Sequence, residues 1–360
     1  MGNPRGRLSA AVFSTLVIAG CAGSGTTSTP GQLPTASQSE RSGFGAHHYV
    51  PQRSLSPLAG GNPTLLLRHA SPLPRAAHRP GTAPTYILTC NPTDNDCEQY
   101  SGAGDFIADL PDLSFPQGTS VGQHTGSWYI ADTTAQDIAV YEVTGSGPYY
   151  ISTFPDSGYL PDDVAVRELK ESKFWVARIL YSNIYTSSYD PGNAVYLNEH
   201  LQTSTMTPPN GHSGEGVGVA FDKKATDCYW SYQDFDGSGG YVAYYPGCAN
   251  PGVIAVKGLE YAGGIAVDAK NVLWVVDQFG GIKSCKGKNW KCTEVFPASD
   301  FVQPLYINFS ADFTTLYVAD AGASTIDACV IATQQCSVAV DDVYSDDPNE
   351  GVAVLPGASP

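Results

Sequence analysis

One short strand recurs six times along the chain, as Gly118-Thr-Ser-Val121, Asp163-Val-Ala-Val166, Gly216-Val-Gly-Val219, Gly264-Ile-Ala-Val267, Pro304-Leu-Tyr-Ile307 and Gly351-Val-Ala-Val354. After a polar turn, five of the six copies are followed by an aromatic strand: Trp128 to Asp132, Phe174 to Arg178, Tyr229 to Gln233, Leu273 to Asp277 and Leu316 to Asp320. The sixth runs into the C-terminus. Copies spaced by about 47 residues, each with short strands and Gly-rich turns, predict an all-β repeat fold, a six-bladed β-propeller. A unit of this kind cannot bury both of its faces alone, so the repeats must pack side by side in a closed ring.

The N-terminus reads differently. Arg5 and Arg7 precede an apolar run from Leu8 to Ala19, too short to cross a bilayer and placed like the core of an export signal. The segment Ile18-Ala19-Gly20-Cys21 resembles the lipobox of bacterial lipoproteins, and that resemblance implies cleavage before Cys21 and lipid attachment to its thiol. The expected organisation is a signal peptide over residues 1–20, a disordered tether over 21–84 and the propeller over 85–360. The tether is rich in Ser, Thr, Pro and Gly and shows no sustained period, so it has little to bury. Within it, Thr64 to Leu67 is a candidate strand that could dock on the propeller. Residue Ala22 is not an Asp of the inner-membrane retention pattern, which favours the outer membrane or cell surface. From Thr85 onward 12 Lys and Arg stand against 34 Asp and Glu, a balance that excludes nucleic acid as a partner class and keeps an exported protein soluble.

Apart from Cys21, eight cysteines fall in neighbouring pairs: Cys90 with Cys97, Cys228 with Cys248, Cys285 with Cys292, and Cys329 with Cys336. A repeated gap inside repeated units predicts one local disulfide per pair, which suits an oxidising compartment. The pairs at Cys285 and Cys329 are expected to join the third and fourth strands of their blades. Tyr86 to Cys90 and Cys97 to Tyr100 look like a hairpin of the same outer kind, yet they precede the first inner strand, while Gly351 to Val354 lies at the other end. The two ends should therefore share one blade, with Thr64 to Leu67 available if that blade lacks a strand.

The run Gly263-Gly-Ile-Ala-Val-Asp268 through Val275-Val-Asp277-Gln-Phe-Gly-Gly281 resembles an NHL-type repeat, and Leu316 to Ile326 is a second match. The resemblance implies the six-bladed propeller of NHL proteins and of the gluconolactonase and strictosidine-synthase-like group, folds that serve both binding and catalysis.

The residues just before the inner strands are Gln117, Asp162, Glu215, Gly263, Gln303 and Glu350, so aligned repeats bring three carboxylates and two amides to one mouth of the channel. Oxygen donors of this kind suit Ca²⁺, with Asp162, Glu215 and Glu350 as the metal ligands and Gln117 and Gln303 as ligand-binding neighbours. The calcium-dependent lactonase group shares the Glu-Gly step of Glu215-Gly216 and Glu350-Gly351, but no Asn stands in this ring. His212, three residues before Glu215, is a candidate general base. Tyr181, Tyr185 and Tyr189, set among Ser, Asn and Thr, have the composition of a glycan- or peptide-contacting surface. Trp128, Trp175, Trp230 and Trp274 share one strand position, which predicts packing between blades. The chain therefore reads as a lipid-anchored extracytoplasmic module that binds a cell-envelope polymer, peptide or protein. The alternatives are a Ca²⁺-dependent lactonase or esterase at the channel mouth and a scaffold without a pocket.

Overall fold

The computed structural model describes residues 85–110, 112–156, 159–171, 174–186, 191–212, 214–235, 239–287, 289–341 and 350–356. Twenty-four strands over these residues form six antiparallel four-stranded sheets. The closing blade takes β1 (Tyr86–Asn91), β2 (Asp96–Ser101) and β3 (Phe106–Leu110) from the front of the described chain. The second blade holds β4 (Pro116–Val121), β5 (Ser127–Asp132), β6 (Asp137–Glu142) and β7 (Tyr149–Pro155). The third holds β8 (Tyr159–Glu171), β9 (Phe174–Thr186), β10 (Pro191–Leu197) and β11 (Thr203–Met206). The fourth holds β12 (Gly214–Phe221), β13 (Cys228–Asp234), β14 (Gly240–Tyr245) and β15 (Val253–Leu259). The fifth holds β16 (Ala262–Val267), β17 (Leu273–Asp277), β18 (Gly281–Lys286) and β19 (Lys291–Phe296). The sixth holds β20 (Pro304–Phe309), β21 (Thr315–Asp320), β22 (Thr325–Val330) and β23 (Gln335–Asp341), and β24 (Gly351–Leu355) returns to the closing blade.

The sheet order β24-β1-β2-β3 bears out the shared closing blade and corrects one detail of it. β3 supplies the outer strand, so the sheet is complete without Thr64 to Leu67, which lie outside the described residues. The hairpin holding Cys90 opposite Cys97 is accordingly the second-to-third strand pair and not the outermost one.

Period-2 alternation explains why nearly every residue of a second strand is apolar or small. In β5, Trp128 and Ile130 pack against the closing blade, while Tyr129 and Ala131 pack against the third. Each strand thus feeds two cores, and six core clusters occupy the six blade boundaries. Trp128, Trp230 and Trp274 are buried in these clusters. Trp175 departs from the pattern: it is half-buried and stacks on His124 with ring centroids 3.6 Å apart.

The small residues of the inner strands have a separate cause. A Cβ on Gly264 would stand 2.9 Å from the Cα of Tyr306, and one on Gly118 would stand 2.5 Å from the Cα of Asp163, because neighbouring inner strands crowd together at the axis.

All four disulfides form: Cys90–Cys97, Cys228–Cys248, Cys285–Cys292 and Cys329–Cys336. Two of them cross the third-to-fourth strand pairs β18–β19 and β22–β23 as expected. They point to an oxidising, extracytoplasmic setting. Loops this short restrain the unfolded chain by roughly 2 to 3 kcal/mol each. Replacing Cys285 and Cys292 together by Ser should therefore lower unfolding free energy by about 2.5 kcal/mol in urea denaturation, without loss of the fold. Among the described residues no helix is long and apolar enough to cross a membrane.

Candidate functional site at the channel

Two of the six inner-strand copies begin without Gly: Asp163 in the third blade and Pro304 in the sixth. These blades stand opposite one another in the ring, and their side chains meet at its centre. The Tyr306 hydroxyl donates to Asp162 Oδ2 across the axis at 2.8 Å, a link between residues 144 apart in sequence. Both side chains are buried. Burial pushes the Asp162 carboxyl well up, the Tyr306 hydrogen bond opposes that, and the charges of Asp163, Glu215 and Glu350 push it up further.

Three of the remaining ring residues, Gln117, Glu350 and Gln303, are hydrogen-bonded and make up a girdle. Gln117 Nε2 donates to Glu350 Oε2 at 3.1 Å, and Thr133 Oγ1 lies 2.8 Å from Gln117 Oε1 and 2.6 Å from the Pro161 carbonyl. Gln303 Nε2 reaches Gln278 Oε1 at 3.4 Å, and Gln278 in turn donates to the Ala262 carbonyl. Burial raises the Glu350 carboxyl, and Gln117 partly offsets it. Asp162 thus lies within electrostatic reach of Glu215 and Glu350. Among the described residues, the one set of three His, Cys, Asp or Glu side chains with ligand atoms all within 4.8 Å of one another is Glu171, Glu199 and His200, away from the girdle. One oxygen of Asp162 accepts from Tyr306 and one oxygen of Glu350 accepts from Gln117.

Below the Tyr306 bridge the channel holds a cavity of about 110 Å³, with Asp163, Ser120, Arg167, Glu168 and Asn308 among its walls. Asp163 accepts hydrogen bonds from the backbone N–H groups of Val164 and Val219 at 2.8 and 2.9 Å, yet burial still lifts its carboxyl to about 7. Glu168 is raised by burial and opposed by the Thr125 hydroxyl and the backbone amides of His124 and Thr125.

At the same mouth as the girdle, His212 Nδ1 lies 2.6 Å from Asp234 Oδ2, with Tyr241 4.7 Å away ring to ring. The sequence signalled the histidine but not its carboxylate partner, which stands opposite Gly214 across the β12–β13 pair. Tyr181 is 4 % exposed and packs in the core between the second and third blades. Tyr185 lies in β9, and Tyr189 and Cys21 lie outside the described residues.

Sequence reasoning missed the apolar rim of this mouth. Phe235 follows the last residue of β13, Phe279 follows β17, and Val302 precedes β20. All three therefore belong to the mouth where inner strands begin, with exposures of 44 %, 57 % and 69 %. Their signal was positional: large apolar residues in turns that the alternation leaves without a facing strand.

No family model matches the chain, and no curated protein matches it. Solved structures do. A chain of a nidogen/laminin complex is 13 % identical, with 75 % of this chain and 98 % of that one covered at a TM-score of 0.58. A functionally unknown protein from Desulfotomaculum acetoxidans is 11 % identical, with 75 % and 99 % covered at 0.50. A streptogramin B lyase is 15 % identical, with 73 % and 76 % covered at 0.44. Identities this low show the fold alone. The class is a disulfide-bonded six-bladed β-propeller.

Proposed function

We propose that the protein is a lipid-anchored extracytoplasmic binding module whose girdle mouth contacts a peptide, protein or polymer of the cell envelope. The observation that carries this reading is the exposed trio Phe235, Phe279 and Val302 around a plugged acidic girdle. Large apolar side chains rimming a polar centre are the composition of a contact face. The Tyr306–Asp162 bridge fills the axis, so contact falls on the rim and loops. The acidic girdle favours a partner segment that is basic as well as apolar. The anchor at Cys21 would hold this face at the membrane surface.

The test is capture of solubilised envelope fractions by the immobilised protein. Phe279→Ser with Val302→Ser should bring capture to background while the melting temperature stays within a few degrees, because both side chains are solvent-facing. Tyr185→Ser with Tyr189→Ser tests the alternative surface, without the core residue Tyr181. Unchanged capture by the Phe279/Val302 variant would remove the girdle mouth from contention.

A further inference from the structure

A second cavity, of about 250 Å³, opens between the second and third blades, well away from the axis. Its walls include the aromatic rings of Phe154, Tyr159 and Tyr181 and the aliphatic side chains of Val195 and Leu197. Asp156, in the turn after β7, is the carboxylate in that lining, and no Lys or Arg occurs in it. The Asp156 amide donates to the Gln136 carbonyl at 2.8 Å, and the Tyr159 amide donates to the Asp156 carbonyl at 3.1 Å.

The carboxylate is only half satisfied. Tyr181 and Asn183 hydrogen-bond to it, yet its buried Oδ2 has no hydrogen-bond partner among the described residues. Behind it, Asn183 donates Nδ2 to Asn193 Oδ1 at 2.8 Å, and its own Oδ1 is likewise buried without a donor. The pocket therefore has acceptors in excess of donors. Burial raises the Asp156 carboxyl, as expected for an anion short of compensating charge. A cation in the cleft would supply the missing charge, and aromatic walls attract cations in addition.

We propose that this interblade cleft binds a small organic ammonium ion, its charge beside the Asp156 carboxylate and its apolar substituent lying against Phe154, Val195 and Leu197. The site goes beyond the girdle mouth and does not depend on it, so envelope capture can fail while this site stands, and the reverse. A neutral ligand of the same shape leaves the carboxylate uncompensated, and an anionic one adds repulsion.

The experiment is calorimetric titration of the full chain with 2-phenylethylammonium, 2-phenylethanol and 3-phenylpropanoate. The ammonium should bind at least about tenfold more tightly than the alcohol, and the carboxylate should not bind. Asp156→Asn should cost the ammonium about tenfold and leave the alcohol unchanged. Thr205, an exposed residue of β11 on the cleft rim, provides a variant that spares the core: Thr205→Trp should block all binding with an unaltered melting temperature. Equal affinity for ammonium and alcohol, no binding of the ammonium, or wild-type affinity in the Thr205→Trp protein would each overturn the proposal.

Discussion

Deleting residues 351–360 is expected to abolish cooperative folding of the propeller. These residues supply β24, which pairs with β1 from Tyr86 opposite Leu355 to Cys90 opposite Gly351. They are also the inner strand of the closing blade, flanked by the inner strands β4 and β20 of the neighbouring blades. Val352, Ala353, Val354 and Leu355 are all at most 5 % exposed. Burying two Val and a Leu is worth about 1.5 to 3 kcal/mol each, roughly 6 kcal/mol in total before hydrogen bonds are considered. The Thr89 hydroxyl on the Gly351 carbonyl and the Gln123 amide on the Val354 carbonyl are lost with them. Net stability of a domain is only about 5 to 15 kcal/mol, so this one strand is comparable to the whole margin. Its removal also bares the β1 edge and opens the ring of inner strands. Far-UV circular dichroism with thermal melting should show no sigmoidal transition in the truncated chain. Moving the same segment to the front of β1 through a flexible linker should restore the transition, since the strand would then pair with β1 as a hairpin neighbour. A truncated protein that melts cooperatively near the full-length temperature would show that the ring does not need its clasp.

That clasp was legible in the sequence because it rests on repetition. Gly351 to Val354 is one more copy of an inner strand with no aromatic strand after it, and Cys90 with Cys97 is a hairpin with no inner strand before it. Two incomplete units at opposite ends have one economical solution. The same logic located the disulfides and three of the four tryptophans, whose positions follow from strand alternation alone. What failed to show was whatever depends on ring geometry. Tyr181 alternates with polar residues and so read as an exposed hairpin, but β9 lies between β8 and β10, and the Tyr181 side chain turns into the boundary with the second blade. Tyr306 reaching Asp162 requires knowing that the third and sixth blades oppose one another. The clue was present all the same, since Asp163 and Pro304 mark the two copies that lack the initial Gly. Asp156 gave no sign, because the lining around it comes from two blades that meet only in the ring.

Raising the pH from 5 to 8 should destabilise the protein, and the axial carboxylates set the sign. Asp162, Asp163, Glu168 and Glu350 all have carboxyls raised by burial. For an acid raised on folding, the native state holds its proton over a range in which the unfolded chain has lost it. Folding then takes up protons, and stability falls as pH rises through that range. For Asp163 the window runs from the ordinary 3.8 to about 7. Three pH units at 1.36 kcal/mol each give about 4 kcal/mol, present below the window and gone above it. Of this, the stretch from pH 5 to about 7 accounts for about 3 kcal/mol, a fall in melting temperature of roughly 5 to 10 °C between pH 5 and 8. The excess of acids over bases in the propeller acts in the same direction, because each further ionisation adds repulsion to an already negative domain. Asp163→Asn separates the two contributions: the Asn oxygen can still accept one of the amide hydrogen bonds from Val164 and Val219, but nothing at that position titrates. Its melting temperature should vary about half as steeply with pH as that of the parent protein. A variant with the parent slope would move the effect to the surface charge, and a parent protein that gains stability from pH 5 to 8 would contradict the burial of these carboxylates at the axis.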